Sequence, residues 1–119
     1  MELNERVVGE VAFVDVGGSV FGGRGDPSVS DKVRSPTQQG FTRVVVDLGR
    51  VTYMDSSGLG DLIEAYASTK KAGGALKLLH VQTRLRDLLT ITKLVTVFET
   101  FDEEAAAIES FAPAASSRR

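Results

Sequence analysis

At Val51-Thr52-Tyr53-Met54-Asp55-Ser56-Ser57-Gly58-Leu59-Gly60, the pattern of the sequence changes from that of a strand to that of a helix. An apolar run, Val44-Val45-Val46, comes before this stretch. After it, apolar residues recur at i, i+3, i+4 and i+7, which is typical of a helix with one buried face. These residues are Leu59, Leu62, Ile63 and Tyr66. We therefore predict that Asp55, Ser56 and Ser57 lie at a corner where a strand ends and a helix begins.

The three polar residues of this corner are more than a helix cap needs. Small polar side chains at a helix start accept hydrogen bonds from the unpaired N–H groups of the first turn. Two interpretations follow from the residues alone. In one, the corner is a cap, and Gly58 lets the helix approach the strand closely. In the other, a serine here is phosphorylated, because a helix N-terminus stabilises a phosphate.

The composition excludes several classes of function. A length of 119 residues suits one domain, and a net charge of −2 without a basic stripe argues against nucleic-acid binding. The absence of cysteine excludes disulfides and thiolate chemistry, and a single histidine excludes a His-rich metal site. The sequence shows neither a signal segment nor an apolar run approaching the about 20 residues of a membrane span. We expect a cytoplasmic protein that binds no cofactor and no metal.

The N-terminal part of the sequence predicts a hairpin, a loop and a weak helix. Arg6–Val8 and Val11–Val16 flank Gly9-Glu10, a pair that suits a two-residue type II′ turn. Apolar residues occur on both faces of the second run, which indicates that layers cover both sides of this strand. We expect a glycine-rich loop over residues 17–27 and a helix from about Ser28 to Gln39.

Other features of this part have weaker support. The glycine-rich stretch lacks the closing Lys-Ser/Thr of a phosphate-binding loop. Arg24-Gly25-Asp26 is the cell-adhesion tripeptide in composition, and chance is the simpler explanation in a sequence without a secretion signal. Pro36 predicts that the helix is short, kinked or broken after Arg34, and Gly40 is expected to end it.

The second half of the sequence alternates strands with helices. The predicted elements are a strand Arg43–Leu48 buried on both faces, a helix from the corner to about Lys71, a strand Ala75–His80, a helix Arg84–Ile91 and a short strand Val95–Phe98. Thr100 and Glu103 have the spacing of a capping box, which predicts a last helix that extends to Phe111. This order predicts an α/β fold with a mainly parallel sheet, made mixed by the hairpin. We expect one domain over residues 1–112 and a disordered tail over 113–119.

A serine hydrolase is the competing hypothesis for Ser57. The nucleophile pattern Gly-x-Ser-x-Gly is not met, because Asp55 occupies the place of the first glycine. His80 is the only possible imidazole base, and it follows a strand whose end lies at the same edge of a parallel sheet as Ser57. No segment supplies an evident oxyanion hole. Hydrolysis is therefore a remote alternative.

The remaining polar residues near the corner predict a surface rather than a reaction centre. Paired acids such as Asp61 and Glu64 form a solvated helix face more simply than a metal site or an acid–base pair. We expect the residues left exposed around the corner to form a small-residue surface that another protein can approach closely. They are Gly58, Gly60, Asp61, Glu64 and Ala65.

Several segments share their pattern with a known family. They are Val45–Leu48, Val51–Gly60, Leu88–Leu94, Val97-Phe98 and Phe101–Ala106. Together they resemble the STAS domain of bacterial anti-sigma factor antagonists, over roughly residues 5–111. The resemblance implies a mixed sheet packed with about four helices.

The resemblance also implies a partner-switching function. The unphosphorylated antagonist of this family binds an anti-sigma factor, typically a serine kinase of the histidine-kinase-like ATPase type, and so frees a sigma factor. The kinase phosphorylates the second serine of the block, which corresponds to Ser57, and a separate phosphatase removes the phosphate. ATP and magnesium then belong to the partner, and this chain is a substrate rather than an enzyme.

The resemblance assigns supporting roles around Ser57. Asp55 and Ser56 shape the phosphorylation site, and the following residues complete the partner-binding surface. They are Gly58, Leu59, Gly60, Asp61 and Glu64. The sequence departs from the family at the glycine-rich stretch 17–26 and at Lys93, where the family often has a glycine.

Two further roles are compatible with the same fold. The domain is then either a scaffold in a stress-sensing complex or a soluble accessory of a transporter. A short chain without a sensory domain favours the free antagonist.

Overall fold

The structure, a computed structural model, describes residues 2–21 and 28–111. The strands are β1 Glu2–Val8, β2 Val11–Val20, β3 Arg43–Met54, β4 Ala75–Leu79 and β5 Thr100–Phe101, and the helices are α1 Val29–Gln38, α2 Ser56–Lys71, α3 Thr83–Ile91 and α4 Glu104–Glu109. The strands form one sheet in the order β1-β2-β3-β4-β5, in which β1 and β2 are antiparallel and the other neighbours parallel. The predicted mixed sheet with an N-terminal hairpin and four helices is confirmed.

The hairpin turn has the predicted geometry. Gly9 has a φ of 62°, and the only described non-glycine residues with positive φ are His80 and Lys93. A positive φ at the first central residue of the turn and not at the second distinguishes type II′ from type I′. The turn at Gly9-Glu10 therefore matches the predicted type.

Strand β2 is longer than its sequence pattern indicated. Residues 17–20 were expected to be loop, but they continue the parallel ladder with β3, from Gly17 opposite Arg50 to Val20 opposite Met54. This ladder depends on backbone hydrogen bonds, so glycines do not interrupt it, although its register shifts twice. The Arg-Gly-Asp tripeptide and the rest of the glycine-rich stretch, residues 22–27, lie outside the described residues.

The sheet is covered on both faces, as the sequence of β2 predicted. Val14, Val44 and Val46 pack in a large core with residues of α1, α2 and α3. Phe13 and Val45 point to the other face and pack in a smaller core with residues of and beside α4. The predicted burial of the Val-Val-Val run on both faces is confirmed, since all three residues are fully buried.

Arg6 joins the hairpin to α4 on the side of the smaller core. Its Nε lies 2.7 Å from Asp15 Oδ2, its Nη2 lies 2.9 Å from Glu104 Oε1, and its guanidinium lies 4.2 Å from the centre of the Phe13 ring. Hydrogen bonds to Asp15 and then Glu104 raise the pKa of Arg6 above its ordinary value. The guanidinium thus shields the edge of the smaller core while it remains partly in water.

The last strand and the last helix begin later than predicted. Residues 95–98 form turns, with Phe98 buried in the large core, and β5 instead pairs Thr100 and Phe101 with Leu78 and Leu79. Thr100 lies three residues before the N-cap of α4, so the predicted capping box is not formed. The N-cap of α4 is Glu103, which makes no side-chain cap hydrogen bond.

Helix α1 continues through Pro36 rather than breaking after Arg34. Its N-cap Ser28 forms a reciprocal capping box with Asp31, and the Ser28 backbone N–H and Arg34 hold the pKa of Asp31 below its ordinary value. Pro36 lies in the last turn of α1, only two residues before its end at Gln38, and its side chain is buried. The helix therefore continues past the proline. The predicted ending at Gly40, which has a φ of 99°, is confirmed to within one residue or two.

Lys93 keeps the turn geometry that a glycine favours. It follows the C-cap Thr92 of α3 with a φ of 64°, and the Leu94 N–H donates to the Leu89 carbonyl at 2.7 Å. This is the left-handed position at which helices commonly end. Lys93 therefore keeps the turn intact but is itself strained.

We predict that Lys93→Gly raises the free energy of unfolding by roughly 0.5–1 kcal/mol, because glycine relieves the left-handed strain but loses more entropy on folding. Urea denaturation measures the change. Lys93→Ala is the matched control, since alanine keeps the strained Cβ, and it should leave the stability close to that of the unmodified protein. Equal effects of the two substitutions would contradict the assignment of strain.

Candidate functional site

Asp55 caps the helix that carries the two serines. Its backbone is extended, with φ −99° and ψ −175°, and its Oδ1 accepts a hydrogen bond of 2.8 Å from the Gly58 N–H. Its own N–H donates to the Val20 carbonyl at 3.3 Å, which ties the helix start to the end of β2. The predicted strand-to-helix corner with a polar cap is confirmed.

Ser56 and Ser57 are the first two residues of α2, and both are exposed. Neither hydroxyl makes a hydrogen bond within the described part of the chain. The first turn of α2 contains no acidic residue. A group added to either oxygen would therefore displace no internal contact and would meet the positive end of the helix dipole.

Gly58 faces inward at the point where α2 meets β2. A Cβ at this position would lie 2.2 Å from the Val20 carbonyl oxygen and 2.9 Å from its carbon. The close approach that the sequence predicted is confirmed, whereas the predicted exposure of Gly58 is wrong. Gly60, on the outer side of the same turn, has no neighbour within 4 Å of such a Cβ.

These two glycines provide a matched pair of substitutions. We predict that Gly58→Ala lowers the free energy of unfolding by roughly 1–3 kcal/mol, because the added methyl group overlaps backbone atoms that have no room to move. Gly60→Ala should raise it by up to about 1 kcal/mol, since alanine favours an exposed helix position. Thermal and urea denaturation test both, and a change of the same sign in the two variants would refute the proposed contact.

The other residues predicted to be exposed divide into two groups. Gly60 and Glu64 are exposed as expected, but Asp61 and Ala65 are only 8% and 0% exposed. The reason is that α1 packs against this side of α2, where Asp61 binds the start of α1. Together with Gly58, which packs against Val20, these residues form an inward stripe at spacing i, i+3, i+7. That spacing was visible in the sequence, but nothing near Asp61 indicated that α1 would cover it.

Asp61 acts inside the fold rather than on the expected solvated face. Its Oδ2 accepts a hydrogen bond of 2.7 Å from the Val29 N–H, and its Oδ1 accepts one of 3.2 Å from the Ser30 N–H. These donors belong to the first two residues of α1. A carboxylate of α2 thus caps a second helix. Leu59, also named as a supporting residue, is a core residue with 4% exposure.

His80 is engaged away from Ser57. Its Nδ1 lies 3.0 Å from Asp47 Oδ1, which also accepts a hydrogen bond of 2.9 Å from the Gly49 N–H. The backbone of His80 has a φ of 59°, and its N–H donates to the Phe101 carbonyl. The imidazole of His80 is therefore paired with Asp47 and makes no hydrogen bond to Ser57.

An apolar surface beside the corner was not found from the sequence. The rings of Phe21 and Tyr53 lie 5.5 Å apart, and both side chains are about half exposed. Tyr53 also lines a groove of about 900 Å³ between the end of β3 and α3, and the exposed Ile91 lines the same groove. In the sequence, the only sign of this apolar surface was that Tyr53 comes two residues before Asp55.

The chain is similar to a known protein family and to a characterised regulator. The model of the STAS domain family matches residues 3–107 of the chain. The chain belongs to the STAS domain family. Its match to the anti-sigma-B factor antagonist of Bacillus subtilis is 36% identical over 73 residues, which are 61% of this chain and 66% of that protein.

Several solved structures share the fold. An anti-sigma factor antagonist from Mycobacterium paratuberculosis superposes with a TM-score of 0.76 at 19% identity, covering 92% of each chain. The Bacillus cell fate determinant SpoIIAA in its phosphorylated form gives 0.68 at 19% identity, covering 92% of this chain and 99% of that one. A sulfate transporter family protein from Wolinella succinogenes gives 0.71 at 23% identity, covering 88% of each. At these identities the likeness concerns the fold.

No helix in the described part of the chain is long and apolar enough to cross a membrane.

Proposed function

We propose that this protein is an anti-sigma factor antagonist whose binding to an anti-sigma factor is switched off by phosphorylation of Ser57. The observation that carries the proposal is an exposed, unbonded hydroxyl on the second residue of α2, next to a cap that Asp55 already completes. The naming of the Bacillus subtilis relative as an antagonist and a structural neighbour solved in its phosphorylated form support it.

A phosphate on Ser57 changes the surface more than the fold. It adds about 1.5 to 2 negative charges at a helix N-terminus, where N–H groups and the helix dipole favour an anion. Ser57 has no hydrogen bond to lose in the described structure, because Asp55 rather than Ser57 accepts the Gly58 N–H. The phosphate therefore lowers the affinity for a partner rather than the stability of the fold, through charge repulsion and desolvation at the interface.

The partner that fits this mechanism is an anti-sigma factor that is itself a serine kinase of the histidine-kinase-like ATPase type. The kinase supplies ATP and magnesium, and a separate serine phosphatase reverses the modification. We place this exchange in the cytoplasm, where sigma factors act. In this assignment the chain is a substrate without catalytic residues of its own.

The residues around Ser57 contribute to binding in different ways. Ser56, Gly60 and Glu64 are exposed and supply the polar surface that a partner contacts. Gly58 and Leu59 support that surface from inside, since both are buried. Exposed aromatic residues are typical anchors of protein interfaces, so the Phe21–Tyr53 pair extends the same surface on its apolar side.

Phosphorylation of Ser57 is tested with purified protein. Each ATPase-type serine kinase of the source genome is incubated with the protein and ATP, and one of them should add a single phosphate. Ser57→Ala should abolish the labelling, because no other hydroxyl occupies the second position of the helix. Ser56→Ala is the matched control and should still be labelled. Equal labelling of Ser57→Ala and the unmodified protein by mass spectrometry would rule the assignment out.

The electrostatic part of the proposal has its own test. Ser57→Asp should bind the kinase about tenfold or more weakly than the unmodified, unphosphorylated protein does. The reason is that a carboxylate at the helix start introduces negative charge into the interface. Circular dichroism should show an unchanged fold. Ala67→Asp adds the same charge to an exposed position further along α2 and should bind normally in calorimetry. Unchanged affinity of Ser57→Asp would show that charge at this position does not control binding.

A soluble accessory of a transporter stays an alternative, because the same fold occurs in a sulfate transporter family protein. The size of the native complex separates the possibilities. A free antagonist should elute alone or with its kinase. A transporter accessory should be found with membranes, and a scaffold should elute in a large assembly.

A further inference from the structure

Asp61 is a buried carboxylate that the switch at Ser57 does not itself use. It is 8% exposed, and its two oxygens accept the Val29 and Ser30 N–H groups at 2.7 and 3.2 Å. No basic side chain pairs with it among the described residues. Burial of a carboxylate is unfavourable unless hydrogen bonds compensate for lost water. Both oxygens are therefore committed to fixing the start of α1.

The start of α1 is thereby held beside Ser57. Residues four apart in a helix lie on the same side, about 6 Å apart along the axis. Asp61 stands four residues after Ser57 in α2, so helix geometry brings the residues that Asp61 binds to within about one turn of Ser57. One turn earlier, the Asp55 N–H and the close contact of Gly58 hold Val20, the last residue of β2. Helix α2 thus anchors the end of β2 and the start of α1 at once.

We propose that Asp61 is a positioning residue for recognition of Ser57: it fixes the start of α1 as part of the surface that the kinase partner binds. This inference rests on the proposed function. A stable interface buries roughly 800 Å² on each partner, so a protein that reaches Ser57 also covers the neighbouring helix start. If that start is not held in place, binding must order it, and the affinity falls.

The start of α1 is also stabilised by hydrogen bonds within its own first turn. Ser28 and Asp31 form a capping box that does not involve Asp61. Loss of the Asp61 hydrogen bonds should therefore loosen the placement of α1 against α2 without removing the helix. A role in recognition can then be separated from a role in folding.

Steady-state kinetics test the proposal with the kinase that labels the unmodified protein. Asp61→Asn replaces one acceptor oxygen by a donor, and it should raise the KM for this protein by about fivefold or more, because weaker docking is expected. The kcat should stay within about twofold, since Ser57 in the bound state is unchanged. Asp61→Ala, which has no acceptor, should raise the KM further. An unchanged KM, or a fall in kcat alone, would overturn the proposal.

The matched control is Asp102→Asn, which removes the same charge from an exposed residue beside α4 on the opposite face of the sheet. It should give the KM of the unmodified protein. An equal rise in KM would assign the effect to net charge and overturn the proposal. Urea denaturation establishes that each variant is folded at the assay temperature.

Hydrogen exchange supplies a measurement that does not depend on a variant. In the unmodified protein the Val29 and Ser30 amides should exchange slowly, as their bonds to Asp61 require, and kinase binding should slow them further. Rapid exchange, or no change on binding, would contradict the inference. If Ser57→Ala abolishes labelling while these results fail, only the role of Asp61 is lost. If no kinase labels Ser57, the proposed function itself fails.

Discussion

The contact between the first turn of α2 and the Val20 carbonyl constrains the whole candidate site. A Cβ at Gly58 would come within 2.2 Å of that oxygen, so only glycine allows the helix to start where it does. The same carbonyl accepts the Asp55 N–H, which makes the cap and the close approach parts of one arrangement. Because this contact fixes the helix, the outward direction of the Ser56 and Ser57 side chains is fixed as well.

Much of the fold follows from periodicity that the sequence displays. Alternation and apolar runs predicted the hairpin, the doubly buried strand at Val44–Val46 and the helix after Asp55, and the structure confirms each. The elements whose bounds were predicted wrongly are those in which backbone hydrogen bonds, rather than side chains, determine where a strand begins or ends. Glycines 17 and 18 extend β2 because a ladder needs only N–H and C=O groups, and Thr100 joins β4 before it can cap a helix.

The site was less predictable than the fold. The cap at Asp55 and the close approach at Gly58 follow from local chemistry, since both involve residues of one corner. The burial of Asp61 depends on α1, which is 32 residues earlier in sequence at Val29, and nothing near Asp61 specifies that contact. An acidic residue on a helix is more often solvated than buried, so the local expectation was wrong for a tertiary reason. The aromatic pair Phe21–Tyr53 has the same origin, because the long β2–β3 ladder brings its two residues together.

The separation between exposed and buried polar groups explains how such a corner can carry a switch. Asp55 and Asp61 each have an oxygen bound to a helix N-terminus, one on its own helix and one on its neighbour. Their negative charge is directed into the fold, which leaves the outer side of the first turn without an acid of its own. A phosphate on Ser57 would bring negative charge to the outer side of this turn, which has no acidic side chain of its own. Its effect on a partner would then be large relative to its effect on the fold, which is the property that a reversible binding switch requires.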